Sequence, residues 1–574
     1  MSIEPWPGEP VLVLGAGPVG QTTALLLAHW GVPTIVLDRR PRRDLVGSKA
    51  ICQQRDVLDV WETVGAGRRI ADEGVTWTTA RTFHRDAELF SYTFAEPGRP
   101  AFPPFVNISQ ARTEQILDER IAAEPLVDLR WDHEAVAIDQ DAEGVRMRLA
   151  DGREVRGSYV VVCAGARCDE LRRLLGVRFE GHSFDDRFLI CDIRTDLPGW
   201  ATERRFYFDP SWNPGRQVLI HPCPDSTFRI DWQVPADYDL DAEAASGALD
   251  ARIRAIIGER DYEIVWKSVY RFHSRVADRL RLGRVLLAGD AAHLVSPFGA
   301  RGLNSGVADA ENAAWKIAYV GRGWAPEALL GTYHVERHAA ARENLAVTTS
   351  TMDFLVPPDE ERARRRADIL ARAATDCAAR GMVDSGRLAE PFWYADSPLT
   401  TPDPRRPFAG RPPRGQVPPA GPGVLLPDAP VAGGRSRGLA RDGFLVLCHG
   451  ESNTAAAATL PGPVRVRTLG EIDPDGALTA ALGSRPGEVW LVRPDAHVAA
   501  VLDHPAPGDI TAALERATAR NIEHLERIDS YVGIGRAEGA RLLTGGASAR
   551  GLHRGEEHLD APGVIPPSGR RNPP

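Results

Sequence analysis

Apolar residues fall in short uninterrupted runs at two distant places in the chain. Val11–Leu14 is four apolar residues in succession, the signature of a strand buried on both faces. Gly15-Ala16-Gly17-Pro18-Val19-Gly20 follows, then an uncharged stretch to Trp30 with the length of a helix, punctuated by Gly31 and Pro33. A second apolar run, Thr34–Leu37, stops at Asp38. The pattern predicts strand, helix, strand. The signature recurs at Val285–Ala288, which stops at Gly289-Asp290. A loop carrying Pro297, Gly299, Gly302 and Asn304 leads into a stretch where Val307, Ala310, Ala314 and Ile317 share one helical face.

Between these places the period changes. Val127–Trp131, Ala135–Asp139 and Val145–Leu149 alternate and predict a small antiparallel sheet beside the first unit. Phe188–Ile193, Arg204–Phe208, Val218–His221, Phe228–Val234 and Ile264–Tyr270 are short runs rich in aromatic and β-branched residues, which predict a second sheet. Gly331–Thr348 and Asp359–Ala379 read as charge-rich solvated helices that could meet a second copy of the chain in a homodimer. Pro398–Pro430, rich in Pro, Gly and Arg, reads as a linker. Beyond it Gly443–Cys448, Val464–Leu469, Val489–Val492 and Val498–Leu502 are strand-like, with helical segments between.

The fold class is α/β, with a Rossmann-type nucleotide domain carrying an inserted β-sheet domain and a smaller C-terminal α/β domain. Six segments are expected: 8–183 and 283–395 as two parts of the nucleotide domain, 184–282 as the sheet insert, 396–430 as linker, 431–515 as C-terminal domain, and 516–574 as a tail. The tail is Gly/Pro/Arg-rich toward its end and is expected to lack stable structure. Its stretch HLERIDSYVGIGRAEGARLLTGG resembles an interior piece of aldehyde dehydrogenases, too short to fold as that enzyme. GIGRAEG has no convincing strand before it and is not counted as a second nucleotide site.

Charge and cysteine content narrow the function. The net charge of −9 makes nucleic acid an improbable partner. Seven scattered cysteines without a C-x-x-C pair argue against a disulfide framework or zinc site and for a reducing, cytoplasmic setting. Val11–Ala28 is uncharged, but acidic residues precede it and glycines interrupt it, so a signal peptide is rejected. No run is long and apolar enough for a membrane span.

The G-x-G-x-x-G turn with an acid 23 residues after Gly15 is a dinucleotide fingerprint. Gly15 makes the tight turn, Gly17 admits the pyrophosphate, Gly20 lets helix pack on strand, and Asp38 can accept from a ribose hydroxyl. Gly289-Asp290 and P-x-G-x-x-G-x-N (Pro297 to Asn304), continued by Asp309, Asn312, Trp315 and Lys316, decide which dinucleotide. Together they resemble the class A flavoprotein monooxygenases, the single-component FAD-dependent aromatic hydroxylases of the phenol, 3-(3-hydroxyphenyl)propionate and polyketide type.

The resemblance, over about residues 8–515, implies FAD as cofactor, NADPH or NADH as co-substrate, and O₂ and a small phenolic compound as substrates. It implies hydroxylation through a flavin C4a-hydroperoxide. It assigns Asp290, with Gly289, to the ribityl chain and Pro297, Gly299, Gly302, Leu303 and Asn304 to the flavin ring. Pro18, Val19 and Arg39 join the nucleotide contacts. Arg55, and Gln110 and Arg112 of the Q-x-R-T-E segment, are expected to approach the cofactor. The second fingerprint, usually C-D-G-A-x-S, reads Cys163-Ala164-Gly165-Ala166-Arg167-Cys168, so Ala164 replaces an acid linked to FAD and nicotinamide binding. The inserted sheet is implied to form the substrate pocket, with His221 and Tyr270 favoured among Tyr207, Gln233, Asp231 and His273. No residue is nominated as covalent catalyst or base. VWLVRPDAHVA resembles the thioredoxin-like domain of the same branch, here without a dithiol. Baeyer–Villiger or epoxidising chemistry on a polycyclic substrate, and an FAD-binding protein that no longer oxygenates, stand as alternatives.

Overall fold

The computed structural model describes residues 5–44, 49–94, 98–413, 416–451 and 461–521. The aldehyde-dehydrogenase-like stretch and almost all of the predicted tail lie outside the described residues.

The N-terminal strand–helix–strand forms as its pattern predicts: Val11–Leu14, Pro18–His29 and Thr34–Leu37. Val11–Leu14 is central in a six-stranded sheet ordered Arg281–Leu282, Val285–Leu287, Val160–Val162, Val11–Leu14, Thr34–Leu37, Val127–Arg130. All neighbours are parallel except the terminal Arg281–Leu282 hairpin. Leu14 is in register with both Leu37 and Val162, and Val162 with Leu287. The strands therefore end at one edge, where parallel α/β sheets bind ligands.

Val127–Arg130 departs from expectation. It is a parallel edge strand of this sheet, in register with Thr34–Leu37. The small antiparallel sheet consists instead of Ala135–Gln140, Val145–Leu149 and Glu154–Gly157. Alternation reports one covered face and is equally satisfied by a parallel edge, so it could not name the partner.

The inserted sheet has eight strands, ordered His293–Leu294, Glu263–Ala277, Phe179–Arg194, Thr227–Val234, Gln217–Cys223, Glu203–Phe208, Thr79–His84, Ala87–Thr93. The last two come from the first part of the chain, and Thr79–His84 runs parallel to Glu203–Phe208. The sheet thus extends beyond the 184–282 boundary. Its two faces differ. Leu189, Cys191, Val218, Ile220, Ile230 and Trp232 point outward and pack on Leu249, Ile253 and Ile257 of the Ala248–Ile257 helix. The alternate residues face the nucleotide domain.

The helix after the second glycine loop, Arg301–Gly321, crosses Pro18–His29 closely. A Cβ at Gly306 would stand 2.6 Å from Val19 Cγ2, so the crossing requires glycine. Ala328–Leu355, expected as a solvated helix, buries Glu336 and Arg337 as well as Leu329, Leu330 and Tyr333.

The C-terminal domain is a four-stranded mixed sheet, Val464–Thr468, Phe444–Cys448, Glu488–Val492, Val498–Asp503, followed by the Pro507–Ala517 helix. The predicted linker is not a free tether. Leu399, Leu425 and Leu426 are buried. Its backbone is stitched to the sheet by Thr401 N–H to Ala499 O (2.8 Å), Gly423 N–H to Val498 O (2.7 Å) and Leu426 N–H to Ala496 O (2.8 Å). Proline and glycine prevented regular structure there without preventing burial.

Candidate functional site

A cavity of about 770 Å³ runs from the aligned strand ends to the inner face of the inserted sheet. At the nucleotide end it is lined by Gly15, Gly17, Pro18, Val19, Asp38 and Arg39. Gly15 has φ +106°, and a Cβ on it would lie 2.4 Å from Cys163 O. Gly20 is outside the lining because it packs the turn: its Cβ would stand 1.8 Å from Gly15 O. Gly17 has no atom within 4 Å of a Cβ position, leaving open space above its backbone. It precedes the first turn of Pro18–His29, whose free N–H groups favour an anion. Asp38 accepts from Ala16 N–H at 2.7 Å and from the Arg40 guanidinium at 2.9 and 3.0 Å. Burial pushes its carboxyl up, but these donors outweigh burial and hold it below the usual carboxylate range.

The middle of the cavity is walled by the second glycine loop. Asp290, Pro297, Gly299, Gly302 and Leu303 all line it. Asp290 is open to the cavity yet enclosed by its protein walls, and this enclosure raises its pKa. Gly299 has φ +96° and its Cβ would meet Arg387 O at 2.2 Å, so only glycine fits. Gly302 has nothing closer than 3.9 Å and lies in the first turn of the Arg301–Gly321 helix, beside open space.

Asn304 is a clamp rather than a wall residue. Its Oδ1 accepts from Gln54 N–H (3.1 Å) and its Nδ2 donates to Cys52 O (3.0 Å), tying the Cys52–Gln54 strand to the helix. Gln110 reaches the wall, accepting from Ala50 N–H at 3.1 Å. Arg112, two residues on and so on the other side of the helix, points elsewhere and pairs with Glu73 at 2.6 and 2.9 Å. Arg55 begins the Arg55–Thr63 helix and lines a separate small pocket beside Tyr92, Phe94 and Phe105. Ala164 lines the main cavity and presents no charge.

At the sheet end the wall mixes aromatic and charged groups. Phe188 stacks on Phe272 with centroids 4.5 Å apart, and both line the cavity with Phe298. His221 and Asp231 line it too, together with Arg204 and Arg229. The other substrate candidates do not. Tyr207 points to the outer face and stacks on Phe83 at 4.5 Å. Gln233 is occupied by Gln217 N–H and Asp186. Tyr270 leans toward Trp266 at 6.3 Å, and His273 bonds Ser183 at 2.7 Å. Strand parity separates Tyr207 and His273 from the wall, His273 being adjacent to the wall residue Phe272, but only the depth of the cavity separates Tyr270 from it.

Sequence reasoning passed over Arg204 and Arg229, although both sit on predicted strands at inward positions. Arg229 is held by Asp192 through two bonds of 2.7 and 2.8 Å. Asp309, read from the sequence only as part of the helix motif, holds a buried cluster beneath the loop. Asp309 accepts from Gly289 N–H (2.9 Å), His293 Nε2 (2.8 Å) and Arg337 Nε (2.7 Å). Burial alone would raise its carboxyl; Arg337 and His293 overcome burial and bring it down to about 2.

Residues 9–348 match the family described as FAD binding domain. Over 369 residues the chain is 31% identical to a 3-(3-hydroxy-phenyl)propionate/3-hydroxycinnamic acid hydroxylase of Mycobacterium sp. (strain KMS), covering 64% of this chain and 63% of that protein. It is 34% identical over 379 residues to a rifampicin monooxygenase of Streptomyces venezuelae, covering 62% and 74%. The match thus spans a little under two thirds of the first relative's length. Among solved structures, the flavin-dependent monooxygenase PieE with FAD and substrate superposes with TM-score 0.77 at 25% identity, over 90% of this chain and all of that one. Aklavinone-11 hydroxylase with FAD and aklavinone gives 0.69 at 25% identity, over 89% and 99%. The open glycine turn, the acid at the second strand end and the second glycine loop agree with that match, and the chain belongs to the FAD binding domain family.

Proposed function

We propose that the protein is an FAD-dependent monooxygenase that hydroxylates a phenolic aromatic compound using NAD(P)H and O₂. The observation that carries this reading is the single cavity, continuous from the open glycine turn to a pocket lined by phenylalanines and floored by polar groups. Relatives named as hydroxylases and monooxygenases support it.

The residues fit FAD. Gly17 and the first turn of its helix would take the pyrophosphate, Asp38 a ribose hydroxyl, and Asp290 a ribityl hydroxyl. The first turn of Arg301–Gly321, opening on the cavity at Gly302, would stabilise negative charge on the ring edge. FAD, when bound, supplies the redox chemistry and the activation of O₂. The chain's own work is to bind, orient and exclude water: Phe188, Phe272 and Phe298 form an apolar wall beside the reacting ring. The same cavity is where a phenol would meet the cofactor. The seven cysteines are all free, which supports a cytoplasmic location. The surface of the Glu360–Arg372 helix is where a homodimer contact is proposed.

The test is the visible spectrum of the purified protein under anaerobic conditions while NADPH, then NADH, is added with a panel of phenols. Bleaching of the flavin bands accelerated by a phenol, followed on aeration by a product one oxygen heavier, is the expected result. Bleaching that no phenol accelerates would overturn the reading in favour of an FAD-binding protein without oxygenase activity.

A further inference from the structure

Two polar groups face the substrate end of the cavity without a protein partner. Asp231 Oδ1 and His221 Nδ1 are both buried, and neither makes a hydrogen bond among the described residues. They project from the paired strands Thr227–Val234 and Gln217–Cys223, where Asp231 is opposite Leu219 and His221 is opposite Arg229. They are thus diagonal neighbours on one face, with backbones roughly 7–8 Å apart. That gap admits one small polar group of a ligand.

Their surroundings define the ligand. Arg229 is engaged by Asp192, and Arg204 donates to Ser385 O at 3.0 Å. Phe188, Ile190, Leu219 and Phe272 supply the flat apolar wall. A carboxylate left without donors, beside an imidazole left without a partner, is completed by a group that donates to one and accepts from the other. A hydroxyl on an aromatic ring does both.

We propose that Asp231 takes the proton of the substrate's phenolic hydroxyl and that His221 donates a hydrogen bond to the same oxygen. The phenolic O–H bond breaks, the proton passes to the Asp231 carboxylate, and the electron pair stays on the phenolate oxygen, activating the ring. Asp231 returns the proton to the product oxygen, so its charge state is restored in each cycle. This inference rests on the hydroxylase reading above.

The charge environment agrees with the geometry. Burial pushes the Asp231 carboxyl up; Arg229 and Arg204 pull it down, Asp192 pushes it up, and it settles at about 7. A proton acceptor with a pKa near the working pH is suited to exchange in both directions. The Cys223 thiol also stands near and is pushed up to about 12, so it stays neutral. Burial, reinforced by Arg204 and Arg229, holds His221 well below its ordinary value, and it is a neutral donor.

The experiment uses the oxidised FAD-loaded protein without nicotinamide and 4-nitrophenol as probe, whose phenolate and phenol bands are separate. Binding is read by difference spectra as a function of pH, the apparent pKa of the bound probe being compared with its free value, with 4-nitroanisole, which has no proton to give, as a second probe. The wild type is expected to show the phenolate band of bound 4-nitrophenol. In Asp231→Asn the bound phenolate fraction is expected to fall by roughly tenfold or more, one pK unit, while 4-nitroanisole binding changes little. Asp231→Ser carries the same expectation should the first variant fold poorly, and the wild-type pH titration requires no variant. A wild-type protein that binds the probe only as neutral phenol, or an Asp231→Asn protein that keeps the phenolate band, would overturn the proposal and leave the hydroxylase reading standing. If neither probe nor any phenol of the panel binds the wild type, the hydroxylase reading itself fails.

Discussion

Asp309→Asn should release the second glycine loop from the helix that supports it. Asp309 is completely buried, and its two oxygens serve three donors: Gly289 N–H, His293 and Arg337. An amide keeps the size but loses the charge, and its NH₂ replaces one acceptor. Arg337, itself buried, is then left against Tyr394 and Ser305 without its counter-charge. Breaking a buried pair in this way costs about 3–5 kcal/mol. A second route gives a similar scale. The Asp309 carboxyl sits at about 2 in the folded protein against 3.8 ordinarily. The pKa is depressed, so its stabilisation is present above about pH 4 and lost as pH falls toward about 2. The span amounts to about 2–3 kcal/mol at 1.36 kcal/mol per unit. The assay is urea unfolding at neutral pH, followed by tryptophan emission and by release of FAD fluorescence, with a parallel acid titration. The variant's FAD release should come at clearly lower urea, and its stability should vary less with pH below about 4. A midpoint equal to the wild type would refute the claim that Asp309 holds Gly289 and the loop in place.

Asp290→Ala should weaken FAD retention by about 1.5–3 kcal/mol, the scale of a hydrogen bond to a charged group; fluorescence titration of the apoprotein measures it, and unchanged affinity would remove Asp290 from the cofactor site. Ala164→Asp should speed anaerobic bleaching by NAD(P)H if the replaced acid limits reduction; stopped-flow spectra with equal rates would show that the position is compensated by its neighbours. Asp231 carries a raised pKa, so the apoprotein should lose stability as pH rises from about 4 through about 7. Asp231→Asn should then be more stable than the wild type above that range, by at most about 4 kcal/mol, as read by urea midpoints at several pH values. Arg493→Ala should leave Asp495 without its guanidinium and Glu336 with Lys316 as its remaining counter-charge, and cost about 3–5 kcal/mol; loss of C-terminal docking, read by limited proteolysis, is the expected sign.

The parts of the fold closest to the cofactor were legible because their chemistry is carried by the backbone. Gly15, Gly17, Gly20 and Gly299 are fixed by what a side chain would strike or leave open, and that constraint is written in the residue type. Polar residues on the inserted sheet carry no such mark. His221 and Tyr207 sit on adjacent strands of this sheet, yet only His221 reaches the cavity. Parity along a strand distinguishes the two faces once the sheet is known, and the outer helix that fixes the parity, Ala248–Ile257, is remote in sequence from most of the strands it covers. Arg112 was misread for another reason. It lies two residues after the cavity residue Gln110, about 200° round the same helix, so it faces away from the cavity, where Glu73 from a neighbouring helix captures its guanidinium. The helical period sets the direction in which Arg112 points, while the partner it meets there is set by tertiary contact.

The helix motif after the second glycine loop shows how one sequence signal serves two neighbours. Its start, Gly302 and Leu303, faces the cavity. Its continuation meets the Ala328–Leu355 helix and the C-terminal domain: Lys316 donates to Glu336 of that helix at 2.6 Å, Asn312 to the same carboxylate at 2.8 Å, and Trp315 Nε1 to Asp495 of the C-terminal domain at 3.3 Å. Arg493 then bridges Glu336 and Asp495, with bonds of 2.5 and 2.6 Å. Every member is buried and every charge has an opposite charge beside it, the condition under which such a network is tolerated, while Asn312 Oδ1 has no hydrogen-bond partner among the described residues. The Arg493-Pro494-Asp495 turn is therefore a brace against the helix whose first turn opens on the flavin end of the cavity. A thioredoxin-like domain without a dithiol has a physical task here: it fixes the orientation of that helix, and with it the dipole and the open backbone at Gly302 on which the cofactor end of the site depends.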